Sequence, residues 1–295
     1  MKKQMKNPAI INPRKYGSGP FCVAVIHGGP GAAGEMAPVA RRLSARVGVL
    51  EPLQTACTLP AQAEELKELL EESADLPVTL IGYSWGAWLS FILAAFHPDM
   101  VRKLVLVASG PFQEKYAPEI MQTRLSRMNE MEQGRVESIL ATLERPGGEG
   151  RDKDRDRDKN WERNREKDRQ LAELGELIGR ADAFDPIRMP EEESDSTELK
   201  SSCRADIFAS VWKEASLLRQ SGELLELGRR IVCPLVAIHG DWDPHPHKGV
   251  SEPLQETLKS FRFILLESCG HKPWIERRAR EKFFSVLEEA IFGDD

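Results

Sequence analysis

Long apolar runs are what this 295-residue chain most plainly lacks. None approaches the roughly 18 consecutive apolar residues that would cross a bilayer, so no membrane span is expected. A charge excess useful for nucleic acid is missing too. Lys and Arg number 41 against 47 Asp and Glu, a net charge of -6, and without a basic surplus to attract a polyanion nucleic acid is not expected as a partner. Cysteine is scarce: Cys22, Cys57, Cys203, Cys233 and Cys269 are odd in number and have no C-x-x-C spacing. Neither a disulfide framework nor a zinc site is indicated, and reduced thiols in a cytoplasmic protein are the expectation. The first twenty residues carry Lys2, Lys3, Lys6, Arg14 and Lys15 but no secretory apolar stretch of about 7 to 15 residues, so export is not expected.

What is present is an alternation of patterns. Short apolar, β-branched runs recur at 21–26, 47–50, 78–81, 104–108, 235–238 and 263–266, each reading as a strand buried on both faces. Helix-period segments at 35–45, 61–73 and 85–96 separate most of them, and such alternation implies an α/β fold, a mostly parallel sheet with helices on both faces. The alternation stops over 111–230, which reads as an inserted, mostly helical lid between core segments 1–110 and 231–295. Its stripes include Ile120, Met121, Leu125, Met128, Val136, Ile139, Leu140 and Leu143, then Leu217, Leu218, Leu224, Leu225 and Leu227. Such stripes usually serve helix packing, although Met could also suit a variable apolar substrate. Within the insertion lies a low-complexity charged segment at 146–170, in which 151–169 alternates Arg and Lys with Asp and Glu and has only Trp161 to bury, behind a lead-in of Pro146, Gly147, Gly148 and Gly150. It predicts a mobile loop or a solvated helix that the molecule can dispense with.

The chemistry concentrates at three strand ends. Gly82-Tyr83-Ser84-Trp85-Gly86 fits G-x-S-x-G where a buried strand meets a helix, a sharp turn that projects the serine hydroxyl above the sheet edge. Ser84 is the candidate nucleophile, with a plain helix N-cap as its bland alternative. His27-Gly28-Gly29-Pro30-Gly31 follows another strand to the same edge. Gly29 and Trp85 are expected to supply backbone N–H donors to the negative charge that develops on a carbonyl oxygen during acyl transfer.

A neutral serine needs a base, and His271 stands in a loop after the run 263–266. His27 and His239 have packing or loop roles by position, and His97 reads as a helix-terminus residue. Asp243 and Asp241 both follow the run 235–238 and would turn the same way if the segment stayed extended; either could orient the base, with Asp243 preferred and Asp241 bracing the loop. A metal site from Asp243, His245 and His247 is disfavoured by two intervening prolines and the want of a fourth ligand. No cofactor is required by this chemistry.

From these motifs, over about 21–292 apart from the insertion, the chain resembles the α/β-hydrolase superfamily. The order Ser84, Asp243, His271 is similar to that family's serine, acid, histidine order, and the resemblance strengthens Asp243 over Asp241. The H-G-G-P-G loop resembles that of the proline iminopeptidase branch and some esterases. What the resemblance implies is a serine hydrolase acting on a small ester, thioester or amide through an acyl-enzyme. An aminopeptidase is the alternative, since Glu130, Glu132 and Glu137 in the lid could meet a free amine, although Tyr83 stands where that branch usually carries glycine. A catalytically silent ligand-binding protein is the alternative of another class. Few residues precede the first clear strand, so the family's leading antiparallel hairpin is expected to be short or absent.

Overall fold

The computed structural model describes residues 11–31, 34–144, 157–188 and 203–293. Its centre is a seven-stranded sheet: β1 (Arg14–Tyr16), β2 (Phe21–Ile26), β3 (Gly48–Glu51), β4 (Val78–Tyr83), β5 (Val101–Val107), β6 (Leu235–Gly240) and β7 (Phe261–Leu266). The spatial order is β1-β3-β2-β4-β5-β6-β7. Only the β1–β3 pair is antiparallel. Among the described residues, the antiparallel element that leads the sheet is the three-residue edge strand β1.

Burial follows from position in that order. All six residues of β4 and of β6 are buried, which is what β-branched and apolar runs covered on both faces require. Strand β7 departs from the expectation. It lies at the sheet edge, only Leu266 is fully buried, and Leu265 is 42% exposed. An apolar run cannot by itself reveal which strand ends the sheet.

Helices α1 (Ala37–Leu43), α2 (Leu59–Ser73) and α3 (Trp85–Phe96) connect the first strands, while α9 (Lys248–Thr257) and α10 (Arg280–Phe292) belong to the last part of the chain. Two apolar clusters form the interior. One gathers α2, α3 and α9 side chains such as Leu66, Phe91 and Leu254; the other gathers α1 and α10 side chains such as Val39, Phe283 and Leu287. Between β5 and β6 lie α4 (Ala117–Ser126), α5 (Glu130–Glu144), α6 (Arg157–Asp182), α7 (Ala205–Gln220) and α8 (Glu223–Glu226). The insertion is therefore helical among its described residues.

Its packing is divided. Met128, Val136, Ile139 and Leu143 join Leu171, Leu174, Leu177 and Ala205 in a third cluster, with Met121, Leu125 and Leu140 packed against it. Ile207, Val211, Ala215 and Leu224 instead join the interior beside α3. Most stripes serve packing; Leu217, at 55% exposed, does not. Of the charged segment, 146–156 lies outside the described residues, whereas 157–170 is part of α6. From that stretch, Asp168 Oδ1 accepts the Ala205 N–H at 2.8 Å at the start of α7.

Candidate active site

Ser84 joins β4 to α3 with φ 52° and ψ -113°, a backbone conformation that costs a non-glycine residue about 1–3 kcal/mol. The surrounding structure holds it there. Its N–H donates to the Val107 carbonyl at 3.0 Å, and its own carbonyl accepts from Ala87 N–H at 3.1 Å. A Cβ at Gly82 would collide with the Gly86 backbone, and one at Gly86 would collide with the carbonyls of Ile26 and His27. Both glycines of the motif are required by close chain approach. Although Ser84 occupies the N-cap position of α3, its side chain makes no capping hydrogen bond. Its Oγ lies 3.1 Å from His271 Nε2.

His271 is held from several directions. Its Nδ1 lies 2.7 Å from Asp243 Oδ2, and since a carboxylate only accepts, Nδ1 carries the hydrogen and Nε2 presents its lone pair to the Ser84 hydroxyl. The His271 N–H donates to the Asp182 carbonyl at 2.9 Å, which ties the histidine loop to the end of α6. The Tyr83 ring lies 5.1 Å from the imidazole and meets Trp274 edge-on at 4.7 Å.

The two aspartates part company. The chain turns directly after Gly240, so the extended alternation that would have aimed them alike is lost. Asp243 is buried, whereas Asp241 is exposed and its Oδ1 accepts the Cys269 N–H at 3.1 Å, bracing the histidine loop. Burial acts to raise the Asp243 pKa, but His271, His245 and His239 outweigh it and hold the carboxyl well below its ordinary range.

The remaining histidines have distinct settings. His27 is fully buried, with Nδ1 2.7 Å from the Gly28 carbonyl and Nε2 accepting from Gln54 N–H at 3.2 Å. His239 is fully buried too, and burial lowers the pKa of both. His97 forms the C-cap of α3. Asp243 groups with His245 and His271, rather than with His247, as atoms within 4.8 Å that could hold a metal ion. Both of those imidazoles, however, already aim Nδ1 at the carboxylate.

The His27 to Gly31 loop packs against this centre. A Cβ on Gly28 would meet the Tyr83 ring at 2.7 Å, while Gly31, at φ 77°, accepts the Arg204 N–H at 2.8 Å. Pro30 is buried between them. Gly29 has φ 50°, and neither its N–H nor that of Trp85 has a hydrogen-bond partner among the described residues.

Several supporting residues carried no sequence signal. Arg124 of α4 makes a two-pronged pair with Asp182 at 2.8 and 2.7 Å. Glu276, fully buried, accepts N–H bonds from Gly270, Phe184 and Asp185. Lys272 pairs with Glu35 at 2.6 Å. These contacts join distant parts of the chain, which no local pattern records.

A serine on a strained strand-to-helix turn, at the carboxyl edge of a mostly parallel sheet and facing a histidine–aspartate pair, defines the class as α/β hydrolase. The family model described as alpha/beta hydrolase fold matches residues 51–277, and the chain belongs to that family and is a hydrolase. A pimeloyl-(acyl-carrier protein) methyl ester esterase of Chromobacterium violaceum is 26% identical over 286 residues, covering 93% of this chain and 95% of that protein. An esterase from Exiguobacterium antarcticum superposes with a TM-score of 0.61 at 18% identity, over 95% of this chain and 94% of that one. A 2-hydroxy-6-oxo-6-phenylhexa-2,4-dienoate hydrolase from a Rhodococcus species gives 0.62 at 16% identity, over 94% and 97%. Among the described residues no helix is long and apolar enough to cross a membrane.

Proposed function

We propose that the chain is a serine hydrolase cleaving a small carboxylic ester, thioester or amide through an acyl-enzyme. The observation that carries this reading is the spacing of 3.1 Å from Ser84 Oγ to His271 Nε2 and 2.7 Å from His271 Nδ1 to Asp243 Oδ2. Ser84 attacks the carbonyl carbon while His271 takes its proton; Asp243 fixes the imidazole and stabilises the resulting cation. The Gly29 and Trp85 N–H groups receive the oxyanion. His271 then protonates the leaving alcohol, thiol or amine, and water, deprotonated by the same imidazole, releases the acid. Residues 111–230 act as the lid over a body formed by 1–110 and 231–295.

An ester is favoured over a peptide N-terminus on two grounds. The curated relative is an esterase by name. The lid acids once available to an amine are otherwise placed: Glu132 pairs with Arg180 at 2.9 Å, and Glu130 and Glu137 are exposed. The H-G-G-P-G loop keeps the aminopeptidase reading alive as the second choice.

A fluorophosphonate probe tests the proposal, together with turnover of acyl nitrophenyl esters and of a proline anilide. Wild type should be labelled and should turn over the esters, and Ser84→Ala should abolish both. Folded wild type that resists the probe and leaves all substrates intact would make the chain a ligand-binding relative. Anilide turnover exceeding ester turnover would make it an aminopeptidase.

A further inference from the structure

Asp243 is held by more than the base it is proposed to orient. Its Oδ2 accepts from His271 Nδ1 at 2.7 Å, and its Oδ1 accepts twice from His245: from the backbone N–H at 2.9 Å and from ring Nδ1 at 2.8 Å. The backbone bond alone would close the local turn. The His245 ring goes further and stacks on the His271 ring, with centroids 4.4 Å apart and planes 24° from parallel. His239 completes the surround, with Nε2 2.9 Å from the His245 carbonyl and 3.4 Å from Asp243 Oδ2. All three imidazoles are buried.

We propose that His245 is a positioning residue, which locks the rotation of Asp243 through Oδ1 and braces the face of His271 so that the base stays aligned with Ser84. The inference rests on the serine hydrolase reading given above. Because the carboxylate only accepts, the His245 hydrogen sits on Nδ1. No bond at His245 is made or broken; the proton moves from Ser84 Oγ to His271 Nε2 and on to the leaving group.

Neutrality is part of the design. Burial pushes the His245 pKa down to about 4, against the pull of Asp243, so the ring adds no charge beside the imidazolium formed at His271. The other charged or titratable groups around the cluster include Arg124 of α4, neutralised by Asp182 of α6, Arg127 just after α4, Tyr83 from β4, His247 at the start of α9, Cys269 with Asp241 beside it, and the Lys272–Glu35 pair. By donating to Oδ1, His245 draws off part of the carboxylate charge. Removing that donor leaves more charge facing His271, which favours imidazolium and moves the acid limb of the pH profile to higher pH.

His245→Phe keeps a stacked face without the donor, and His245→Asn keeps a short donor without the ring. Esterase kinetics across pH on both, with folding checked by circular dichroism, separate the two contributions. In the Phe variant the acid limb of kcat/KM should move up by about half a pH unit. Its kcat should fall about tenfold while KM changes by less than about threefold. The Asn variant should return the limb towards wild type while kcat stays low. A folded Phe variant with wild-type kcat and an unmoved profile overturns the proposal.

Nitrogen-15 NMR of the wild-type histidines provides a reading that depends on no variant's folding. His245 should be an Nδ1–H tautomer with a strongly deshielded proton; an Nε2–H tautomer overturns the proposal. Absence of Ser84 labelling would instead remove the serine-nucleophile reading, and the tautomer would still report whether His245 engages Asp243.

Discussion

At Ser84, a backbone strain of about 1–3 kcal/mol is held by two hydrogen bonds and by two glycines that allow no side chain. Gly86→Ala pits two effects against each other. Alanine is the better helix former by about 1 kcal/mol, but its Cβ would strike the carbonyls of Ile26 and His27. Sterics should win, because backbone cannot swing aside as a side chain can. We expect stability to fall by about 1–3 kcal/mol in urea denaturation and ester turnover to fall about a hundredfold as the serine shifts. A variant as stable and as fast as wild type would show that the turn tolerates a side chain. Ser84, Gly82 and Gly86 were legible because five adjacent residues and their strand-to-helix context carry the signal. Asp243 and Asp241 were harder to separate, since alternation holds only while the chain remains extended, and it turns after Gly240. His245 stood out in sequence only as a disfavoured metal ligand; its contact with His271 joins two loops that meet only in the folded molecule.

Among elements, the decisive contacts run from the inserted helices to the loops of the site. Arg124 in α4 and Asp182 at the end of α6 are both largely buried, with side chains 13% and 5% exposed, and the Asp182 carbonyl receives the His271 N–H. Removing one partner leaves a buried charge uncompensated, which typically costs about 3–5 kcal/mol. Arg124→Met should therefore lower the unfolding free energy by about 3 kcal/mol and reduce kcat, as α6 loosens its hold on the histidine loop. A change below about half a kcal/mol in denaturant unfolding would assign the pair no such role. The helices themselves were readable from apolar periodicity, which reports one element at a time. Their partnerships were not: Arg124 and Asp182 are 58 residues apart, and neither position differs locally from an ordinary surface charge.

At the scale of the whole molecule, an acid sensitivity arising from the buried imidazoles is expected. Burial lowers the pKa of His27, His239 and His245, the last to about 4, whereas histidine in an unfolded chain titrates near 6.5. Below about pH 6.5 the unfolded chain binds protons that the native state refuses, so stability present above that pH is lost on acidification towards about pH 4. Each histidine contributes a slope of up to about 1.4 kcal/mol per pH unit. Urea midpoints should drop steadily from neutral pH to about pH 5, with net proton uptake on unfolding. Midpoints that stay level over that interval would mean that the three rings titrate alike in both states. At this scale the α/β class, and the helical character of the described stretch between β5 and β6, were legible from the alternation of runs. The edge position of β7 and the divided packing of the insertion were not, because each depends on which neighbours a segment acquires.

The insertion meets the histidine loop through Asp182 and the glycine loop through Arg204, and both bonds run from main chain to main chain. Neither bond uses a side chain of the insertion, whereas Gly31 is itself fixed by its φ of 77° and by the Arg204 carbonyl, which a Cβ would strike. Side chains on α4 to α7 can therefore change without removing either of these two main-chain ties.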